Sequence, residues 1–369
     1  MLVASVLWVA LGLPLIGARL ASQFEATCPK RCHCTRDLFK CENLHAKEPN
    51  AIFPHASPIV FPELSTLVVT GNDFGDLRGE NLFGEGQKNK KVSLANLTNS
   101  GITAFDGATF EGLTGVEYLY LSENNLTEVG QSPFKHMPKL KILDLSNVFG
   151  RGVSVQVKAD ILRDLFKQND DRFVELNEIL LNDNGIEFLH PDTFCQVRGL
   201  ARIQLENNRL KEFPISQEGK CLPSLKNLNL RANHFERIPN HLYNGPVELT
   251  GIDVSYNPLK CDCEAKDFVK YAQDEDSFYI NQDFTTCASP SNLKHSKVFQ
   301  IELEDLCSSG GHHYFLLILL VLFLGAYFGY RYARAHNINI HLPTPSRIPL
   351  VAGYSALKSN DDGTVPQFV

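Results

Sequence analysis

The sequence lacks any excess of basic residues: 35 Lys and Arg stand against 42 Asp and Glu, a formal net charge of -7 with the two signs interspersed. No positive field is available for a nucleic-acid backbone, and no acidic tail is present, so nucleic acid is not an expected partner. The chain also lacks a G-x-S-x-G elbow, an H-E-x-x-H pair and a glycine-rich phosphate loop. Its histidines are scattered, and His136 and His190 fall in loop segments where a solvated structural role is expected. The expectation is a binding protein and not an enzyme, with no catalytic residue, no cofactor and no metal.

Long apolar runs are scarce, and each of the two has a definite meaning. Leu2 to Ile16 is uncharged, broken only by Ser5, Gly12 and Pro14, and followed by the small residues Gly17 and Ala18. It reads as a secretory signal over residues 1–21, cleaved between Ala18 and Ser22. Tyr314 to Tyr330 carries no charge and is bounded by Arg331 and Arg334. At about 1.5 Å per residue it just crosses a hydrocarbon core of about 30 Å, which predicts a membrane-spanning helix over residues 312–332. Glu302, Glu304 and Asp305 precede it and the arginines follow, so the N-terminus is expected outside and the tail, 333–369, in the cytoplasm, as a single-pass type I protein of the plasma membrane.

Between Leu64 and Leu259 the pattern L-x-x-L-x-L-x-x-N-x-L recurs. One copy is Leu64, Leu67, Val69, Asn72 and Phe74; another is Val116, Leu119, Leu121, Asn124 and Leu126. Asn184, Asn208, Asn233 and Asn257 mark four consecutive copies. Each copy predicts a short strand whose leucines point inward, with the asparagine amide turned in to bond neighbouring coils. One coil cannot bury its own apolar face, so the pattern implies a stacked α/β solenoid, a horseshoe of about eight coils over residues 61–259. Two copies are irregular: near Val92 and Leu94 the asparagine arrives late, at Asn99, and after Leu143 and Leu145 it arrives early, at Asn147. An insertion is expected near 148–173, where Ile161, Leu162, Leu165 and Phe166 have helical spacing within Ala159 to Lys167. It is read as a helix-bearing excursion from the solenoid's edge.

The ten cysteines fall into three groups. Cys28, Cys32, Cys34 and Cys41 lie in a cap at 22–60, and Cys261, Cys263, Cys287 and Cys307 in a cap at 260–309. Export to an oxidising compartment favours disulfides over zinc in both, although spacing leaves the pairing within each group open. Cys195 and Cys221 occupy nearly equivalent places in adjacent coils and predict a disulfide that staples them. The two caps, above all CDCEAKDFVKY leading to TTCASP and IELEDLC, resemble those of extracellular leucine-rich-repeat proteins, a likeness that runs from about Cys28 to Arg334. That resemblance implies the pairs Cys28–Cys34, Cys32–Cys41, Cys261–Cys287 and Cys263–Cys307. It also implies a protein that modulates a signalling receptor, by inhibition of Wnt signalling; cell adhesion or matrix and apical-surface organisation is the alternative.

Ligand contacts are expected on the concave strands, at the positions between the inward leucines: Thr66 and Val68, Tyr118 and Tyr120, Ile142 and Asp144, Glu178 and Leu180, Arg202 and Gln204, Asn227 and Asn229, and Gly251 and Asp253. Tyr118, Tyr120, Ile142 and Leu180 are the apolar members, expected to form one exposed patch for an extracellular or membrane protein ligand, or for a second copy in a homodimer. Two sequons, Asn96-Leu97-Thr98 and Asn125-Leu126-Thr127, are expected to carry glycans in loops that follow strands. In the tail, Tyr354-Ser-Ala-Leu357 has the form of a tyrosine-based sorting signal.

Overall fold

The computed structural model describes residues 27–167, 173–214, 221–245, 249–274, 277–307 and 311–336. The expected signal sequence and the tail residues Tyr354 and Leu357 lie outside the described residues. The chain forms two compact units, Met1–Ser308 and Ser309–Val369.

In the first unit, strands of two to five residues line up in one 11-stranded sheet. All its pairs are parallel except the first, His33–Cys34 against Leu38–Glu42. In most of these strands the middle residue is buried and its neighbours are more exposed, as in Tyr118–Tyr120 around Leu119 and Ile142–Asp144 around Leu143. That alternation follows from the two-residue period of a strand, and the inward residues stack into one continuous core.

After each strand the chain must turn sharply. It does so at a left-handed residue, namely Gly71, Asn99, Glu123, Asn147, Asp183, Asn207, Ala232 and Tyr256 in eight successive coils. The residue that follows points inward. Where it is asparagine, its amide binds backbone groups of its own coil and the one before. Asn208 accepts from the N–H groups of Asn184 (3.2 Å) and Ile186 (2.9 Å) and donates to the carbonyls of Leu181 (2.9 Å) and Leu205 (3.0 Å). Asn124, Asn233 and Asn257 repeat the scheme. Because these amides are buried, each satisfies backbone groups that water cannot reach.

This register accounts for both irregular copies and corrects the first. The inward residues of the second coil are Val92, Ala95 and Leu97, while Leu94 points outward and is half-exposed. The ladder position is therefore Ser100, whose hydroxyl donates to Val69 O at 2.9 Å, and Asn99 is the left-handed residue before it. In the fourth coil the position belongs to the buried Val148, with Asn147 before it. Asn99 thus stands one residue before its ladder site and does not arrive late, whereas Asn147 is early, as expected from its distance to Leu145.

The expected excursion is also corrected. The helix Val155–Phe166, N-capped by the Ser154 hydroxyl, buries Ala159, Ile161, Leu162, Leu165 and Phe166 in the solenoid core. Phe166 meets Phe173 and Phe194 at ring-centroid distances of 6.1 and 5.3 Å, continuing a row of phenylalanines that includes Phe105, Phe110 and Phe134. The inserted residues thus replace the outer segment of one coil; an amphipathic helix with this apolar face is stable only when that face is covered.

Each end of the core is closed. Phe39 and Cys41 enter it from the first cap, in register with Leu67 and Val69. At the far end, the helix Lys266–Ala272 buries Phe268, Val269 and Ala272, and Tyr279–Ile280 pairs with Ile252 and Asp253. Disulfides join Cys28 to Cys34, Cys32 to Cys41, Cys195 to Cys221, Cys261 to Cys287 and Cys263 to Cys307.

The second unit contains the helix Gly311–Ala335. Its segment Phe315–Ala335 has 21 residues and a mean hydropathy of 1.8, long and apolar enough to cross a membrane by length and composition.

Candidate binding face

The solvent face of the long sheet is built from two rows of residues, set by strand register and at least half-exposed except at the last strand. The first runs Leu38, Thr66, Leu94, Tyr118, Ile142, Glu178, Arg202, Asn227 and Gly251. The second runs Lys40, Val68, Asn96, Tyr120, Asp144, Leu180, Gln204, Asn229 and Asp253. Neighbours in a row belong to adjacent strands, about 4.8 Å apart.

The face divides in two. In its N-terminal half, Leu94, Tyr118 and Ile142 are consecutive in the first row, and Tyr120 stands beside Tyr118 on the same strand. Leu180 is separated from Tyr120 by Asp144 in the second row, so it sits at the margin of this strip. All four residues singled out in the sequence lie on one face, half-exposed. Ion pairs tie the coils alongside: Lys141 to Glu117 at 2.9 Å and Arg202 to Glu178 at 2.9 Å. The hydrogen bond that Lys141 donates to the Glu117 carboxylate raises the Lys141 pKa above its ordinary value.

The C-terminal half is polar, with an aromatic stack at its rim. The Arg231 guanidinium lies 4.1 Å from the centroid of the Tyr256 ring. Tyr256 in turn stacks on Phe284, with centroids 5.6 Å apart and planes inclined by 17°. Arg231 also donates to Glu206 and to the Ser255 hydroxyl, each at 3.0 Å. Burial opposes its charge, but Tyr256 and the carboxylates of Glu206 and Asp253 outweigh that and raise its pKa. Tyr256 and Phe284 are each 52% exposed and Ile280 51%, well beyond the half-buried strip. Exposed aromatic residues with an arginine over one ring are the composition from which protein contacts draw most of their energy.

Two expected contact positions fail. Gly251 and Asp253 are buried, because the Asn227 side chain lies over Gly251 and Asn281 of the cap donates to Asp253. Leu94, Arg231, Tyr256, Ile280 and Phe284 escaped notice in the sequence. Leu94 follows from counting L-x-x-L-x-L from Val92, and Tyr256 from its place before Asn257. Ile280 and Phe284 carry no such signal, since the cap has no repeat period.

The sequons differ in setting. Asn125 is exposed in the turn after Asn124, with its backbone N–H bonded to Ile102 O at 3.0 Å. Asn96 does not follow a strand: it is the last residue of Leu94–Asn96, on the face, between Val68 and Tyr120. Among the described residues no group of three His, Cys, Asp or Glu side chains could hold a metal ion.

Comparison with known proteins agrees with this architecture. The leucine rich repeat family matches residues 92–147 and 174–235. Mouse podocan is 24% identical over 58% of the chain and chicken Tsukushi 27% over 63%; the chain spans 39% and 53% of their respective lengths. Trophoblast glycoprotein of Macaca fascicularis is 24% identical over 76% of the chain and 67% of its own length. The crystal structure of human trophoblast glycoprotein, also called Wnt-activated inhibitory factor 1, superposes with a TM-score of 0.64 at 23% identity, covering 76% of this chain and 99% of that one. The chain thus carries leucine rich repeats over these two stretches, has disulfide-bonded ends, and shares the fold of human trophoblast glycoprotein.

Proposed function

We propose that the chain is a single-pass type I glycoprotein of the plasma membrane that binds an extracellular or membrane protein ligand and has no enzymatic role. The observation that carries the reading is the open face of the 11-stranded sheet, with the apolar strip Leu94, Tyr118, Tyr120, Ile142 and Leu180 on it and the cation-aromatic stack Arg231, Tyr256 and Phe284 at its rim. An open sheet face offers area for a protein partner but no enclosed, dry pocket in which to run a reaction. The helix Phe315–Ala335 supplies the anchor, and Asn96 and Asn125 the glycan sites, on the outer side. Tyr354 and Leu357 act as a sorting signal in the tail.

The function is modulation of a signalling receptor in the same membrane, by inhibition of Wnt signalling. Its support is the shared fold with a protein named Wnt-activated inhibitory factor 1. Cells displaying the full chain are to be screened against soluble ectodomains of receptors, Wnt-pathway components and the chain itself. Saturable binding of a Wnt co-receptor, weakened at least tenfold by Tyr256→Ala, is the expected result; a loss confined to Tyr118→Ala with Tyr120→Ala would move the contact to the strip. Self-binding alone would replace this reading with homodimeric adhesion.

A further inference from the structure

The position of Asn96 changes what the N-terminal strip is free to bind. Its side chain rises from the sheet face, half-exposed, with Val68 on one neighbouring strand and Tyr120 on the other. Its Oδ1 accepts the Thr98 N–H at 2.9 Å, whereas its Nδ2 donates to none of the described residues. The contrast with the ladder is sharp: Asn124, Asn208 and Asn257 each commit Nδ2 to two buried carbonyls. Oligosaccharide transfer joins Nδ2 of a sequon asparagine to C1 of N-acetylglucosamine. The bond from C1 to a lipid diphosphate breaks, the diphosphate leaves with its electron pair, and Nδ2 loses one proton. At Asn96 the product is a sugar seated on the sheet about one strand spacing, roughly 4.8 Å, from the Tyr120 backbone.

We propose that the glycan on Asn96 lies along the face, with its first N-acetylglucosamine packed on Tyr120 and its extension over Tyr118. The strip is then occupied by the chain's own sugar, and the surface left for a protein is the stack of Arg231, Tyr256 and Phe284. Pyranose C–H groups suit the electron-rich face of an aromatic ring, and Val68 supplies an apolar wall on the opposite side. The sequon at Asn125 gives no such cover, because its residue is exposed in a turn off the sheet. Occupation of the strip stands on the geometry alone; leaving the stack to a protein rests on the binding-protein reading above.

The test requires no ligand. Full-length protein from a glycosylating animal cell line, held in detergent, is oxidised by hydroxyl radicals and read by peptide mass. Wild type is compared with Asn96→Gln and Asn125→Gln, and with wild type from which the whole glycan has been released enzymatically in the folded state, which guards against misfolding of a variant. A hexose-bearing Asn96 peptide is expected. Oxidation of Tyr118 and Tyr120 rises about threefold in Asn96→Gln and in the enzymatically released sample, with no change in Asn125→Gln or at Tyr256 and Phe284. An unmodified Asn96 peptide overturns the proposal, as does equal oxidation of Tyr118 and Tyr120 in all samples. Because no partner enters this experiment, its outcome is separate from that of the receptor screen.

Discussion

The four coils from Asn184 to Asn257 and the coils before them share one period but solve the same problem differently. In the later coils every inward turn residue is an asparagine, and buried backbone groups are bonded coil to coil without a break. In the earlier ones the ladder is interrupted twice, at Ser100, which keeps one strong bond to Val69 O, and at Val148, which has no polar side chain at all. The sheet face divides along similar lines, apolar and half-buried towards the N-terminus, polar with an exposed stack towards the C-terminus. A solenoid tolerates such local substitutions because each coil contacts only its neighbours, so a lost ladder bond is a local cost. Burial decides how large that cost is.

The sharpest way to break the comparison is to test the register of the irregular second coil. Ala95→Lys would bury an unpaired charge at a position with no exposure, destabilising the protein by at least about 4 kcal/mol. Leu94→Lys, one residue earlier but outward, should cost under about 1 kcal/mol. Thermal unfolding of the two variants reads the difference directly, and a reversal of their order would restore the register with Leu94 inside. Next in size is the ladder itself. Asn208→Ala strands two N–H groups and the Leu181 carbonyl, Leu205 O keeping its bond from Asn233, and should cost about 3 kcal/mol, against about 1 kcal/mol for Ser100→Ala. Equal losses in denaturant titrations would mean that the ladder matters no more in one half than in the other. The smallest effect belongs to the stack: with Tyr256 half in solvent, Tyr256→Ala should lower stability by only about 0.5 to 1 kcal/mol. A loss of several kcal/mol there would make the stack part of the core and not a contact surface.

Much of this molecule is legible without coordinates because its structure is periodic. Leu119, Leu121 and Asn124 declare an inward strand face and a ladder residue, and Leu143, Ile179, Ile203 and Leu228 repeat the inward position on the neighbouring strands. The misreading of the second coil falls where the period is locally ambiguous. Two asparagines, Asn99 and Asn147, stand one residue before the ladder site, where asparagine suits the left-handed turn as well as it suits the ladder. Composition favours the residue type but does not say which of two adjacent turn positions it fills. The helix Val155–Phe166 was visible from its spacing, but its docking into the phenylalanine row was not, because amphipathicity states that a face must be covered and not by what.

The sequence by itself determined the stacked strands, the cysteine-rich ends and one apolar segment long enough to cross a membrane, since each follows from a local pattern of side chains with a single physical solution. Only the tertiary structure decided that Leu94 and Asn96 belong to the sheet face, that Gly251 is lost beneath Asn227 and Asp253 beneath the cap, and that Arg231, Tyr256 and Phe284 form one stack. Those facts depend on register between strands and on a cap with no repeat of its own, and both are settled by packing between residues roughly one coil apart.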